Sequence, residues 1–387
     1  MEKRYLFTPG PTPVPPKVLA ALAEPVLHHR GPDFREVLAR CLGRLAQICR
    51  TEREVLLFTA SGTGLMESAI ANLLSPGDRV LVVSAGYFGE RWADLARAYR
   101  ADVDVLAYSW GEAPVAADVE ERLDGHTVVL LTHSETSTGV VADVQALAAV
   151  AKDAGAVVAV DAVSSLGAVP LETDAWGIDV VVSGSQKALM SPPGLGFASP
   201  NEAALGRAAT ASRRGYYFDW LKTAAGQRKD PPDSPFTPAV SAWMALDVAL
   251  GMIEEEGLEQ VFERHRLLGR AARAAVAGLE LEQFGPDDEN ANVVTAITLP
   301  DTIDGAKVPK TMRDKYGVTI AGGQGKLKGK IARIAHCGYF GAFDIVTTIA
   351  AFEMTLRELG ADVDLGAGVG AAQRVFLEAG VPVAAPA

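Results

Sequence analysis

A chain of 387 residues is too long for one simple hydrophobic core and comfortable as two. Its 36 basic and 48 acidic residues leave a net charge of −12, which argues against nucleic acid as a general partner because phosphate backbones call for a basic surface. No apolar run reaches the roughly 18 to 20 residues of a membrane helix. The start of the chain also lacks the apolar stretch of a secretory signal, so a cytoplasmic protein without membrane contact is the expectation.

Residues 1 to about 20 hold five prolines and little periodicity, and read as an extended arm. Asp33 then starts a helix, with Glu36 placed to complete a capping box. Cys41 and Cys49 follow at a helical spacing that makes them core thiols rather than metal ligands. From residue 54 to about 200, Val-rich runs alternate with helical segments. The runs are Val55–Phe58, Arg79–Val83, Val103–Ala107, Thr127–Leu131, Ala156–Val160 and Val180–Val182, with helices expected at 64–74, 89–99, 116–123 and 143–154. Strands apolar on both faces and separated by helices predict a mostly parallel sheet covered by helices. After a proline-rich break comes one long helical stretch, 238–279. Then follow a strand at 292–299, a helix near 304–316, strands at 317–320 and 331–335, a helix at 341–359 and a short helix at 371–379. The division expected is an arm (1–20), a large α/β domain (21–255) and a smaller α+β C-terminal domain (256–387).

Three segments carry chemistry. Lys187 lies in the small-residue loop Ser183-Gly184-Ser185-Gln186-Lys187-Ala188, just past a strand, where ligands bind in open α/β sheets. Burial there would keep part of its amine uncharged and nucleophilic, although a loop lysine taken alone is ordinarily a solvated charge. Asp161 ends the apolar run Val157–Val160 and follows the same geometry; a buried carboxylate requires a cationic partner, and a protonated pyridine nitrogen is one. Thr59-Ala60-Ser61-Gly62-Thr63-Gly64 links a strand to a helix and offers backbone N–H groups to an anion, a phosphate above all. It lacks the full dinucleotide fingerprint and the Walker lysine. An aromatic in Gly86-Tyr87-Phe88-Gly89 either stacks on a cofactor ring or caps the sheet. His29 and Arg30 reach either a neighbouring site or a structural salt bridge. Gly322-Gly323-Gln324-Gly325 is a lid or a flexible turn, and His133 reads as a satisfied loop histidine.

These strings occur together with Pro9-Gly10-Pro11-Thr12, His29-Arg30-Gly31-Pro32-Asp33-Phe34, His133-Ser134-Glu135-Thr136-Ser137-Thr138-Gly139, Pro192-Pro193-Gly194 and Arg333-Ile334-Ala335-His336-Cys337-Gly338. In that order they resemble the class V aminotransferases, in particular the alanine–glyoxylate and serine–glyoxylate (serine–pyruvate) group, from about residue 5 to 358.

The resemblance implies the type I fold of pyridoxal-phosphate-dependent transferases and pyridoxal 5′-phosphate as cofactor. Lys187 would carry the cofactor as a Schiff base and move the proton of the reaction, and Asp161 would hold the pyridine nitrogen. Phe88 would stack on the ring and Val163 would lie against it. Thr63, Gly64, Leu65 and Gln186 would approach the phosphate, and Thr136 the 3′-oxygen. Arg333 would clamp the substrate carboxylate while the arm around Gly10 closes over the substrate. Thr237 would reach the phosphate of a second subunit in a homodimer. Two departures stand out: Leu65 replaces a histidine, and Ser234 a tyrosine. The reaction implied moves an amino group from a small amino acid, alanine or serine, to a 2-oxo acid, glyoxylate or pyruvate. Alternatives are a non-catalytic hydrogenase-associated subunit, a lyase, and a cysteine desulfurase; for the last, Cys337 lies after Arg333 rather than on a loop ahead of it.

Overall fold

The Val-rich runs do become strands, most of them buried where two helical layers meet, with the edge strand formed by Val103–Ala107 only half-buried. The computed structural model describes residues 4–212, 215–380 and 386, so the first three residues and most of the segment after 380 lie outside it. The arm begins as a short strand, β1 (Tyr5–Leu6). It does not stay extended to residue 20 but enters α1 (Pro16–Leu22), where proline at the first helical position loses no intrahelical bond. Helix α2 (Pro32–Ile48) starts after Gly31 with no side-chain cap, so the capping box expected of Asp33 and Glu36 does not form. Asp33 lies inside the first turn instead, where its charge complements the helix dipole. Cys41 and Cys49 are buried in the core beneath α2, as free thiols.

Alternation then follows the pattern read from the sequence. In chain order come β2 (Leu56–Phe58), α3 (Gly62–Leu73), β3 (Arg79–Ser84), α4 (Tyr87–Ala98), β4 (Asp102–Ala107), α5 (Ala116–Arg122) and β5 (Val128–Thr132). A small hairpin, β6 (Ser134–Glu135) and β7 (Val140–Val141), precedes α6 (Val144–Asp153), β8 (Val157–Asp161) and β9 (Val180–Gly184). A further strand, β10 (Gly196–Pro200), carries no apolar signature, since Gly196, Ala198, Ser199 and Pro200 have little strand propensity. It nevertheless inserts between β2 and β9, antiparallel to both. The sheet order is β2-β10-β9-β8-β5-β3-β4, with the β9 to β4 portion parallel. One face packs on α2 and α6, with α9 (Val240–Glu256) behind them; the other packs on α3 and α4 and on α7 (Glu202–Thr210) and α8 (Trp220–Gln227).

The stretch 238–279 is two helices, not one. Gly257, at φ +85°, separates α9 from α10 (Leu258–Gly278), and α10 beyond its first turn serves a different core from α9. The second core gathers α10, β11 (Val294–Thr298), α11 (Lys307–Tyr316), β12 (Val318–Thr319), β13 (Ala321–Gly322), β14 (Ile331–Ala335), α12 (Ala342–Glu358) and α13 (Ala367–Ala379). Strand β14 lies between β11 and β13, antiparallel to each. The arm belongs to this core: β1 pairs in parallel with β12, and Phe7 is buried and stacks on Phe340 at 5.6 Å between ring centroids. Among the described residues no helix is long and apolar enough to cross a membrane.

Candidate active site

In the parallel part of the sheet, the chain lays β4 on one side of β3 and then crosses to place β5 on the other. Such a reversal leaves a crevice beyond the carboxyl ends of the strands. Strand register brings the chemistry there. Asp161, the last residue of β8, pairs with Thr132 of β5 on one side and Val182 of β9 on the other. Five residues beyond Val182, Lys187 turns back over the same rim.

Lys187 is 8% exposed and lies beneath the arm, its Nζ donating to the Pro9 carbonyl. A Cβ added at Gly10 would fall 2.3 Å from that nitrogen, so only glycine lets the backbone pass so close. Thr12 fastens the arm beyond this point, its Oγ1 donating to the Lys187 carbonyl at 2.9 Å and its N–H to the Gln186 carbonyl at 3.1 Å. Burial lowers the lysine's pKa, with the Cys337 thiol and Asp161 opposing the shift. The result favours a neutral, nucleophilic amine. Asp161 is pushed the other way, up to about 6, chiefly by burial and further by Glu135. Its side chain has one described hydrogen bond, from the Val163 N–H at 2.8 Å. A buried carboxylate so sparsely served accommodates a cationic ring N–H.

The anion turn differs in detail from the expectation. Ser61 Oγ caps the Gly64 N–H at 3.2 Å, and the Leu65 N–H bonds the Ser61 carbonyl at 3.1 Å. The Leu65 side chain is buried against Gly196, where a Cβ would lie 2.1 Å from it. Leu65 therefore offers no free N–H, because the helix has already begun. Among the described residues the N–H groups of Gly62 and Thr63 have no partner. Gln186 Oε1, buried and without a partner, lies 2.9 Å from where a Gly184 Cβ would stand, and that same position is 3.5 Å from Gly62. Val163 closes the turn from the Asp161 side, with a methyl 2.7 Å from the position of a Gly62 Cβ. The two free N–H groups form a cradle that fits a phosphate, and Gln186 serves the same anion only through its amide NH2, because its unpartnered Oε1 is an acceptor. With the lysine and the carboxylate, the donor set suits pyridoxal phosphate at three separate points.

Two residues that the sequence did not single out complete the site. Glu135 is buried. Its Oε2 accepts from the N–H groups of Phe88 (2.9 Å) and Gly89 (3.1 Å), and its Oε1 from the N–H and hydroxyl of Ser137. It thereby plugs the start of α4 and fixes the backbone that carries Phe88. Burial raises its pKa, and those hydrogen bonds resist the rise. Arg91, one turn along α4, donates from Nη1 to Thr63 Oγ1 at 2.8 Å and lies over the Phe88 ring, 4.7 Å from its centroid. An acid inside a loop motif and an arginine on an amphipathic helix have no distinctive spacing, which is why neither was legible.

Arg333, on the middle strand β14, is buried and points across to the first core. Its Nε donates to the Gly322 carbonyl at 2.9 Å and its Nη1 to the Thr136 carbonyl at 2.6 Å. No acid pairs with it among the described residues. Burial lowers its pKa to about 10, which leaves it charged at neutral pH with Nη2 open to a carboxylate. The 322–325 turn is built rather than loose, since a Cβ at Gly323 would collide with the Leu327 carbonyl.

Other expectations resolve plainly. Arg30 pairs with Asp233 at 3.3 Å, the structural of its two readings. His133 is buried and held neutral, its pKa down at about 4, but its Nδ1 has no partner, so it is not the satisfied histidine expected. Cys337 is buried with its pKa pushed up to about 11, unlike the exposed reactive thiol a desulfurase needs. Thr237 is exposed, and the Ser234 hydroxyl is engaged by the Phe236 carbonyl at 2.8 Å.

Residues 4–362 match the family described as aminotransferase class-V. The chain is 41% identical to the soluble hydrogenase small subunit of a Synechococcus species, over 97% of this chain and 99% of that one. It is 36% identical to the serine–glyoxylate aminotransferase of Methylorubrum extorquens, over 97% and 96% of the two chains. The crystal structure of the ureidoglycine–glyoxylate aminotransferase of Bacillus subtilis shares its fold with a TM-score of 0.93 at 29% identity, covering 97% of this chain and 99% of that one. The chain belongs to the class V aminotransferases. It is a transaminase whose cofactor is pyridoxal 5′-phosphate and whose substrates are an amino acid and a 2-oxo acid.

Proposed function

We propose that this class V aminotransferase takes an amino group from serine or alanine and delivers it to glyoxylate or pyruvate. Bound pyridoxal phosphate supplies an electrophilic carbon for the amino group and a ring that withdraws electrons from the substrate α-carbon. Lys187 Nζ accepts the proton from that carbon and returns it on the other half of the cycle, a role suited to an amine whose pKa burial has lowered. Asp161 holds the proton of the ring nitrogen. Phe88 and Val163 would hold the cofactor ring between them, and Thr136 would serve its ring oxygen. The N–H groups of Gly62 and Thr63, with Gln186, would hold the phosphate, while Gly64, whose N–H is capped by Ser61, and Leu65 would contribute packing only. Arg333 orients the substrate carboxylate, and Gly10 excludes water from above. The observation that carries this reading is the pairing of a buried lysine and a buried, sparsely bonded carboxylate on adjoining strand ends.

The small-substrate reading rests on the arm. Its backbone lies directly on Lys187, which leaves little height for a side chain. Glyoxylate as acceptor draws on the names of two relatives. The same proposal includes a cytoplasmic homodimer in which Thr237 faces the neighbouring subunit's phosphate, and a domain boundary at about residue 256. A hydrogenase role, the name of two relatives, has no specific observation in its favour here. A panel of amino donors against glyoxylate, pyruvate and 2-oxoglutarate tests the choice. Serine or alanine with glyoxylate is expected to turn over fastest; faster turnover of glutamate with any acceptor overturns it.

A further inference from the structure

Resting on the reading that pyridoxal phosphate binds in this crevice, we propose that Arg91 is its phosphate ligand, supplying the positive charge that the 59–65 turn lacks. The turn itself, Thr59-Ala60-Ser61-Gly62-Thr63-Gly64-Leu65, holds no charged residue. Leu65 is buried in the core and Ser234 bonds within its own loop, so neither brings a group to the anion. Backbone N–H groups and one amide would face a phosphate that carries more than one negative charge at neutral pH. A cation nearby is the missing term.

Arg91 is that cation by position. It reaches the turn directly, through Nη1 on Thr63 Oγ1 at 2.8 Å, and its guanidinium is held over Phe88 and Tyr87, whose ring centroids lie 4.7 and 5.4 Å from Cζ. It forms no ion pair among the described residues. Other arginines of this chain are matched with acids, as Arg40 and Arg44 are with Asp247 and Arg122 with Asp104. A half-buried guanidinium held without an acid is poised for an anion from outside the chain. The Thr63 hydroxyl adds to this. Because it accepts from Arg91, its own proton is free to donate to a phosphate oxygen. The positive charge also extends to the reacting groups, since Arg91 lowers the pKa of both Asp161 and Lys187.

The test compares pyridoxal 5′-phosphate with pyridoxal, which lacks the phosphate, by titrating the visible absorption band in purified protein. Arg91→Gln keeps a donor for Thr63 and removes the charge. It is expected to weaken pyridoxal phosphate about tenfold or more while pyridoxal stays within about twofold of wild type. Arg91→Lys, which keeps the charge, is expected to retain the preference for the phosphate to within about threefold, and it decides the matter if Arg91→Gln does not fold. Equal weakening of both compounds assigns Arg91 to supporting Phe88 and overturns the proposal, as does an unchanged affinity for pyridoxal phosphate. Weaker binding of acidic amino donors alone, with cofactor affinity intact, overturns it in favour of a substrate role. Failure of the wild type to bind pyridoxal phosphate brings down the cofactor reading instead.

Discussion

The floor and the roof of the crevice are built on different principles. The floor is the carboxyl edge of one sheet, where Asp161 and Lys187 take their places from β8 and β9, strands buried on both faces and locked by register. The roof comes from the second core: Arg333 on β14, and the arm that β1 ties to β12. Among the described residues, the hydrogen bonds that join roof to floor include Thr12 to the Lys187 carbonyl and Arg333 to the Thr136 carbonyl. Groups that must hold a fixed geometry through the reaction sit on the rigid sheet. Groups that meet the substrate sit where the two cores abut. Floor substitutions should therefore remove chemistry, and roof substitutions should remove binding.

The largest effect expected is on the floor. Lys187→Ala should lose both the visible absorption band and measurable transamination, because no other buried amine faces the crevice among the described residues. A variant that keeps the band and the turnover would place the nucleophile elsewhere and break the comparison at its root.

The roof supplies the contrast. Arg333→Ala should raise the KM for both amino acid and 2-oxo acid by about 100-fold or more, through loss of a charge-assisted contact in a buried setting. The absorption band and cofactor affinity should stay near wild type. Loss of cofactor in parallel with substrate would show that Arg333 holds the floor together through Thr136 rather than receiving a carboxylate.

Asp161 shows what the floor costs when its cationic partner is absent. Its pKa is raised to about 6 from 3.8, so the folded, cofactor-free protein binds this proton more tightly than the unfolded chain does. Stability from this group is therefore fully present below the unfolded value and is lost as pH rises through about 6. The difference is on the order of 3 kcal/mol. Urea unfolding of the cofactor-free protein should find Asp161→Asn more stable than wild type at about pH 8, with the gap closing as pH falls toward 4. An Asn variant no more stable at high pH would mean that the carboxylate is already well compensated without a cofactor.

Most of the floor was legible in the sequence because its signals are local and redundant. Runs such as Val157–Val160 are apolar on both faces, and Asp161, which breaks that run, is the residue placed to do chemistry. The roof was less so. The two-residue strand β1 has no periodicity to detect, and although a strand is expected at 317–320, its pairing with β1 links residues more than 300 positions apart. Glu135 lay inside a recognised string yet had no mark of burial, since its partners are backbone N–H groups of a helix start that follows another strand. Arg91 looks like any solvated arginine until Thr63 is placed beside it. Strand β10 was hidden by composition, its small residues fitting against β2 and β9 where Leu65 fills the space over Gly196.

The joint between floor and roof carries the smallest prediction and tests the division itself. Periodicity alone runs one helix through 238–279, because Gly257 in a helical pattern reads as a tolerated weak point. The structure breaks the helix there at φ +85°, a conformation that residues with a Cβ rarely adopt, and sends α9 and, beyond its first turn, α10 to separate cores. Gly257→Ala would also bring its Cβ to 2.5 Å from Gln260 Oε1, but that is the end of a flexible side chain and can move. The remaining cost is backbone strain, about 1 kcal/mol. The variant should unfold at slightly lower urea with kcat and KM unchanged. If alanine instead lets α9 and α10 fuse, Arg333 would be carried away from Lys187. Activity would then collapse without loss of stability, an outcome that would make the glycine, rather than the packing of the two cores, the element that sets roof against floor.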